Sequence, residues 1–365
     1  MASFFSRNNV LIKKLRKDEK NMKKTLIFII SLTLCLLLAG CSGNNDQENS
    51  ETDTVKIGIC NYVDDASLNQ IVDNINKRLD ELNKQNNTEI EVLYNNANAD
   101  ANVMRQIIAN FISKDVDLMV GIATPVAMDM QAATEDNEIP VVFAAVSDPL
   151  AVGLVDTLEN PGHNITGTSD YLNTTAIMNL IVAQNPEIKK VGLLYDAGQD
   201  ASTNPIKDAK AFLESKNIAY VEKTGTNVDE IKLAVSSLVA EGVEAIFTPT
   251  DNTVMTAELS IYEQIAQAGI LHYCGADSFA LNGAFLGFGV DYANLGRETA
   301  DMIYDVLFNK KEISSYGVKT FDNGTATINE DIIAQLGLKL EDLETAFGPF
   351  CTKIQTIKTA EEFSE

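Results

Sequence analysis

Tryptophan is absent, and 365 residues contain only two histidines, His163 and His272. A histidine-rich metal centre is thereby excluded. A serine hydrolase would have only these two as general base, and neither lies near a serine in a GxSxG elbow, a motif the chain lacks. His163 follows Pro161-Gly162 and reads as a turn residue; His272 sits in an apolar run and reads as structural. No GxGxxG follows the first apolar run, and GxxxxGK[ST] and HExxH are missing. No catalytic pair is marked out, so the expectation is no enzyme, no cofactor and no metal. Proline (8) and glycine (21) are too few for collagen-like or proline-rich disorder. Basic residues are scarce: 28 Lys and Arg against 52 Asp and Glu leave a net charge of -24. Affinity for a phosphate backbone is electrostatic, so nucleic acid is no partner and adhesion to an anionic membrane surface is disfavoured.

Cysteine is also sparse. Of five, Cys35 lies in an apolar leader and Cys41 at its end, which leaves Cys60, Cys274 and Cys351. An odd remainder without CxxC spacing argues against a disulfide scaffold. Cys60 and Cys274 lie in apolar runs and read as small buried hydrophobes, with a Cys274–Cys351 bridge left open.

From Met22 the chain reads MKKTLIFIISLTLCLLLAGC. Two lysines, a short apolar run and small residues follow in the order of a secretory signal. The run is short for a membrane span, which needs ~20 residues. Its end, Leu38-Ala39-Gly40-Cys41, resembles the lipobox of bacterial lipoproteins. That resemblance implies a signal over 22–41 and a lipidated (palmitate-bearing) Cys41 as mature N-terminus. Residues 1–21, polar and basic, precede a complete signal with its own methionine and read as an over-extended frame. Residues 42–54 are polar and acidic, without aliphatic residues, and read as a flexible tether.

Beyond the tether, apolar runs and helical periodicities alternate. Strands are predicted at 55–62, 89–94, 116–122 and 140–146, with helices at 67–83, 102–113 and 125–134 between them. Continuous apolar strands suit a parallel sheet buried on both faces. After an extended connector at 165–172 the plan repeats. Helices are predicted at 176–183, 205–216, 229–240, 254–268 and 295–308. Strands are predicted at 190–195, 219–224, 244–248, 270–274 and 284–290, with one more strand and a short helix within 319–338. The fold class is α/β, with two doubly wound Rossmann-like lobes.

Such lobes hold ligands at the carboxyl ends of their strands. The loops there carry small hydroxyls and carboxylates: Thr124; Ser147 and Asp148; Ser169 and Asp170; Ser202; Thr250, Asp251 and Asn252; and Asp277. This composition suits a cleft lining.

Six blocks, KIGICNYVDDASL (56–68), DLMVGIATPVA (117–127), IPVVFAAVSDPLAVGLV (139–155), NITGTSDYL (164–172), TPTDNTV (248–254) and GVDYANLGRETADM (289–302), fall in order across nearly the whole mature chain. In these the chain resembles the tryptophan/tyrosine-type substrate-binding lipoproteins of bacterial ABC transporters. The resemblance implies a type I periplasmic binding fold with three crossings between lobes, near 168–170, 290–292 and 321–323. Lobe 1 is then 55–168 plus 293–321, and lobe 2 is 169–291 plus 323–345. It also implies a monomeric extracytoplasmic protein, lipid-anchored to the cell membrane. Such a protein passes a small molecule, typically an aromatic amino acid, to an ABC permease.

Chemistry assigns roles within that frame. Thr124, before Pro125, is placed to offer a helix N-terminus to a carboxylate. Ser147 and Asp148 occupy a similar position, and Ser202 adds a hydroxyl from the other lobe. Asp170, at the first crossing, is the favoured partner of an ammonium, with Asp251 and Asp277 as competitors. Tyr62 and Phe279 are candidate apolar walls, and Tyr171 is a weaker third. Each polar candidate also has a plain reading as a helix cap or turn former. A ligand-sensing domain for a membrane receptor or kinase is the alternative function, and an exported enzyme a weaker one.

Overall fold

The computed structural model describes residues 54–363. The expectations for the 1–21 extension, the 22–41 signal with Cys41 and most of the 42–54 tether lie outside the described residues.

The first sheet has five parallel strands: β1 (Val55–Asn61), β2 (Ile90–Asn96), β3 (Leu118–Ile122), β4 (Val141–Ala144) and β5 (Ile165–Thr168), in the order β2-β1-β3-β4-β5. Helices α1 (Ala66–Asn86), α2 (Ala101–Ser113) and α3 (Thr124–Thr134) alternate with them. α1 starts at Asp65, whose carboxylate accepts the Ser67 and Leu68 N–H groups at 2.9 and 3.2 Å. Leu68, Ile71, Val72, Ile75 and Leu79 recur at helical spacing and face Ile57, Ile59 and Val120 of the sheet. Each such side chain contributes ~1.5–3 kcal/mol by burial. The other face carries Cys60, Met119 and Phe143 against Met104, Ile108 and Phe111 of α2. Both faces are covered, which accounts for the unbroken apolar runs.

The second sheet contains β6 (Lys190–Tyr195), β7 (Ala219–Thr224), β8 (Ala245–Thr248), β9 (Leu271–Cys274), β10 (Leu286–Gly289), β11 (Thr325–Asn329) and β12 (Lys353–Ile357). The order is β12-β11-β10-β9-β8-β6-β7, and only the β10–β11 pair is antiparallel. Its helices are α4 (Thr174–Gln184), α5 (Asp200–Ser215), α6 (Val228–Ala240), α7 (Asn252–Ala257), α8 (Tyr262–Gln267) and α9 (Asp277–Leu281). α10 (Tyr292–Leu307) returns to the first lobe and packs along α1. Gly296 permits that approach, since a Cβ there would lie 2.5 Å from the Ile71 carbonyl oxygen. α11 (Glu330–Gln335) and α12 (Leu340–Phe347) close the second lobe.

Three sequence expectations are corrected. The helix predicted over 254–268 is two helices separated by a tight turn at Glu258–Ser260. There the fully buried Glu258 turns inward to His272 Nδ1, 3.1 Å away, while Thr248 Oγ1 lies 2.8 Å from Nε2. α5 begins at Asp200, a turn before Pro205, so the proline sits inside the helix. β12, beyond the expected end of the second lobe at 345, is an added edge strand. Cys60, Cys274 and Cys351 are all free thiols, which closes the question of a 274–351 bridge.

The chain passes between the sheets at 168–170, at 290–292 and after Lys319. The first and third passages run side by side: Ser169 N–H donates to the Lys319 carbonyl at 2.8 Å, and Lys319 N–H donates to that of Gly167 at 2.9 Å.

Candidate functional site

A cavity lies between the lobes at the carboxyl ends of both sheets. From the first lobe it is lined by Ser67, Leu68, Ala123, Thr124, Ala145 and Ser147. From the second lobe come Ala201, Thr250, Asn252 and Met255, with Asp170 and Tyr292 at the passages. The lobes touch across it: Ser147 Oγ lies 3.1 Å from Thr250 Oγ1, Asn204 Nδ2 donates to Asp148 Oδ2 at 2.7 Å, and Ser67 Oγ donates to Asp277 Oδ1 at 2.7 Å. The space left is about 20 Å³, room for a water molecule and no more. Entry of a larger solute therefore requires the lobes to separate, and three short passages are hinges suited to that motion.

Thr124, Ser147, Asp170, Thr250 and Asn252 are brought together at this cavity. Thr124 opens α3, whose first turn is capped by no side chain. The turn is set by Ala123, at φ 75° and ψ 157°, a region that glycine favours. Ala145, at φ 54°, is strained on the same wall. Such conformations cost ~1–3 kcal/mol each and concentrate at functional sites. Ser147 Oγ donates to Asp170 Oδ1 at 3.0 Å, and Asn252 Nδ2 donates to Gln199 Oε1 at 3.0 Å. Ser169 serves the hinge, accepting the Tyr171 N–H at 3.1 Å.

The remaining candidates stand elsewhere. Asp251 is the N-cap of α7 and accepts from Thr253 N, Val254 N, Asp196 N and Ser202 Oγ at 2.6–3.1 Å. Ser202 is spent on that carboxylate and borders a separate depression in the second lobe, with Tyr195 and Lys207. Asp148 caps its own turn through Ala151 N–H and holds Asn204 across the rim. Phe279 is fully buried, edge-on to His272, in the apolar core. Tyr62 packs partly buried on the first lobe's core, and Tyr171 is exposed. None of these three rings lines the cavity.

Charge distinguishes the buried carboxylates. Burial raises Asp170 above the usual carboxylate range, and bonds from Ser147 and Tyr292 partly offset it. Among the described residues no lysine or arginine pairs with Asp170, whose partners there are the hydroxyls of Ser147 and Tyr292. Asp277 is pushed up to about 7, chiefly by burial and then by the neighbouring charge of Asp65. Asp65 itself is raised by burial to about 6.

Ser67 and Tyr292 escaped the sequence reading. Ser67 reads as an ordinary first-turn helix residue, and only the approach of the second lobe brings Asp277 to its hydroxyl. Tyr292 did carry a signal: it directly follows a passage between the lobes, inside GVDYANL.

Two α/β lobes hinged by three passages, with hydroxyls and a charged side chain converging between them, define a two-lobed solute-binding protein. The family model for the ABC transporter substrate binding protein matches residues 56–346, and the chain belongs to that family. It is 31% identical over 326 residues to the "Tyrosine-binding protein" of Clostridioides difficile (strain R20291), covering 87% of this chain and 93% of that one. It is similar to the crystal structure of the ABC domain in complex with L-Trp from Streptococcus pneumonia, at 27% identity and TM-score 0.75, covering 82% of this chain and 99% of that one. It is also similar to the ligand-free, open structure of a substrate-binding protein with adhesive properties from Clostridium difficile. There the identity is 30% and the TM-score 0.64, covering 84% of this chain and 100% of that one. The protein is thus the extracytoplasmic solute-binding component of an ABC importer, partnered by a permease, and not an enzyme.

Proposed function

We propose that the solute is an amino acid with an aromatic side chain, held between the lobes with its ammonium on Asp170. The observation that carries this reading is the buried carboxylate of Asp170 in the interlobe cavity, which meets no lysine or arginine among the described residues. A buried carboxylate is costly alone and is stabilised by a charged, hydrogen-bonded partner. The first turn of α3, at Thr124, is the matching place for the ligand carboxylate, because its N–H groups and dipole favour an anion. Relatives described as binding tyrosine and as complexed with L-Trp support the aromatic class.

Calorimetry against the twenty amino acids and related aromatic metabolites is the direct test. One aromatic amino acid is expected to bind at micromolar affinity or tighter; silence across the panel would overturn the reading. Lobe closure is expected to reduce the radius of gyration in small-angle scattering when ligand is added to ligand-free protein.

We further propose that the protein acts as a monomer tethered through a lipid on Cys41, on the strength of the leader and lipobox-like Leu38-Ala39-Gly40-Cys41. Among the described residues no helix is long and apolar enough to cross a membrane. Cys41→Ser is expected to move the protein from the membrane fraction to the soluble one, and an unchanged distribution would refute the anchor.

A further inference from the structure

Among the described residues, Tyr292 is the one aromatic side chain that lines the interlobe cavity, and it is 2% exposed. It is the first residue of α10, immediately after the second passage between the lobes. Its hydroxyl donates to Asp170 Oδ2 at 3.3 Å, while Ser147 donates to Oδ1. The chain of hydroxyls continues from Ser147 to Thr250 in the second lobe. One side chain at one hinge thus touches both the cavity and the carboxylate of another hinge. The phenol's own pKa is driven far up by burial and by the charges of Asp170, Asp277 and Asp65, so it remains a donor across the accessible pH range.

We infer that Tyr292 is the residue that sets ligand selectivity, its ring forming the aromatic wall of the cavity and its hydroxyl positioning Asp170 for a ligand cation. This deepens the proposed function and rests on it. Two separable consequences follow. Phenol donation favours the ionised form of Asp170, so losing it moves the carboxyl pKa upward and costs affinity at the acid end first. The ring supplies offset or edge-on packing to an aromatic ligand, which an aliphatic side chain at 292 does not reproduce.

The test measures affinity from pH 5 to pH 8 for the aromatic amino acid bound by the parent and for leucine, with thermal melts to confirm folding. Tyr292→Phe keeps the ring; it is expected to weaken binding about 3–10-fold near neutral pH and to shift the acid limb of the affinity profile upward by about one pH unit, with the aromatic preference retained. Tyr292→Leu removes both groups and is expected in addition to lower the aromatic-over-leucine preference about 3–10-fold. Tyr292→Met serves for the ring if the leucine variant does not fold. A folded Y292F whose affinity and pH profile match the parent overturns the positioning role. A Y292L or Y292M with the parent's selectivity overturns the wall. If the parent binds no amino acid at all, the proposed function has failed rather than this inference, and the two failures are told apart by the parent's own titration.

Discussion

Asp251 and Asp170 are both buried aspartates at the carboxyl end of a strand, and the chain presents them in similar loops. Their surroundings differ in kind. Asp251 takes four donors, three of them backbone N–H groups that start α7 and order the Asp196 loop. Asp170 takes two donors, both side-chain hydroxyls, and borders the cavity at a hinge. A carboxylate has about four acceptor directions. Asp251 has filled them with scaffold, whereas Asp170 keeps capacity for a further partner. Donor count and donor type thus separate a scaffold-bound aspartate from a cavity-facing one more sharply than burial does, since both are buried and both are raised above the usual range by it.

The widest contrast should appear on neutralising each group. D170N is expected to weaken the aromatic amino acid by about 2–5 kcal/mol, thirty-fold or more, with its melting temperature unchanged or higher. A folded D170N that binds within two-fold of the parent would show that the ammonium sits elsewhere. D251A should reverse the pattern: a stability loss of about 2 kcal/mol in denaturant melts, through a lost cap and orphaned donors, with near-parental affinity in the folded fraction. Selective loss of affinity in D251A would erase the distinction between the two sites.

The Asp65–Asp277 contact sharpens the comparison through pH. These carboxylates come from opposite lobes and meet at Ser67, whose hydroxyl donates to Asp277 and accepts the Ser278 N–H at 3.2 Å. The titratable groups with which they interact are each other and Tyr292, which also faces Asp170. Their pKa values, about 6 and about 7, lie above those of a solvated aspartate. The closed, folded form therefore binds more protons than the open or unfolded form between roughly pH 4 and pH 7, and its stability falls as pH rises through that window. Asp170 and Asp251 act in the same direction. Glu81, Glu222 and Glu230 are lowered below the usual glutamate range, so their opposite contribution falls at more acid pH. Melting temperature is expected to rise from pH 8 to pH 5, and D277N should flatten the rise. A parental slope in D277N would remove Asp277 from this account.

The smallest effect is expected at the rim. Asn204→Ala deletes the bond to Asp148, a partly solvated contact outside the cavity, and should change affinity by under about 0.5 kcal/mol. A tenfold loss in calorimetry would extend the working site to the rim.

Much of the architecture was legible along the chain. Burial on both faces of a parallel sheet leaves continuous apolar strands such as 118–122, and helices packed on one side carry apolar residues at helical spacing, as in α1. Strand-end hydroxyls and acids pointed to the cleft for the same topological reason, and Thr124, Ser147, Asp170, Thr250 and Asn252 do meet there. Local rules failed where a distant group decided the outcome. Glu258 breaks the helix predicted over 254–268 because His272, fourteen residues on, draws it inward. Phe279 looked like a wall beside Asp277, yet α9 turns it into the core.

The sequence by itself determined the class: two α/β lobes, acidic, without catalytic signatures, read from periodicity and composition that each segment carries locally. Tertiary structure alone decided which of several similar aspartates is saturated, which hydroxyls reach it and which ring lines the cavity. Those outcomes depend on side chains more than a hundred residues apart, such as Asp170 and Tyr292, or Ser67 and Asp277, being brought within hydrogen-bonding distance by the approach of the two lobes. No local propensity encodes such a distance; it is set by where the hinges place two independently packed sheets.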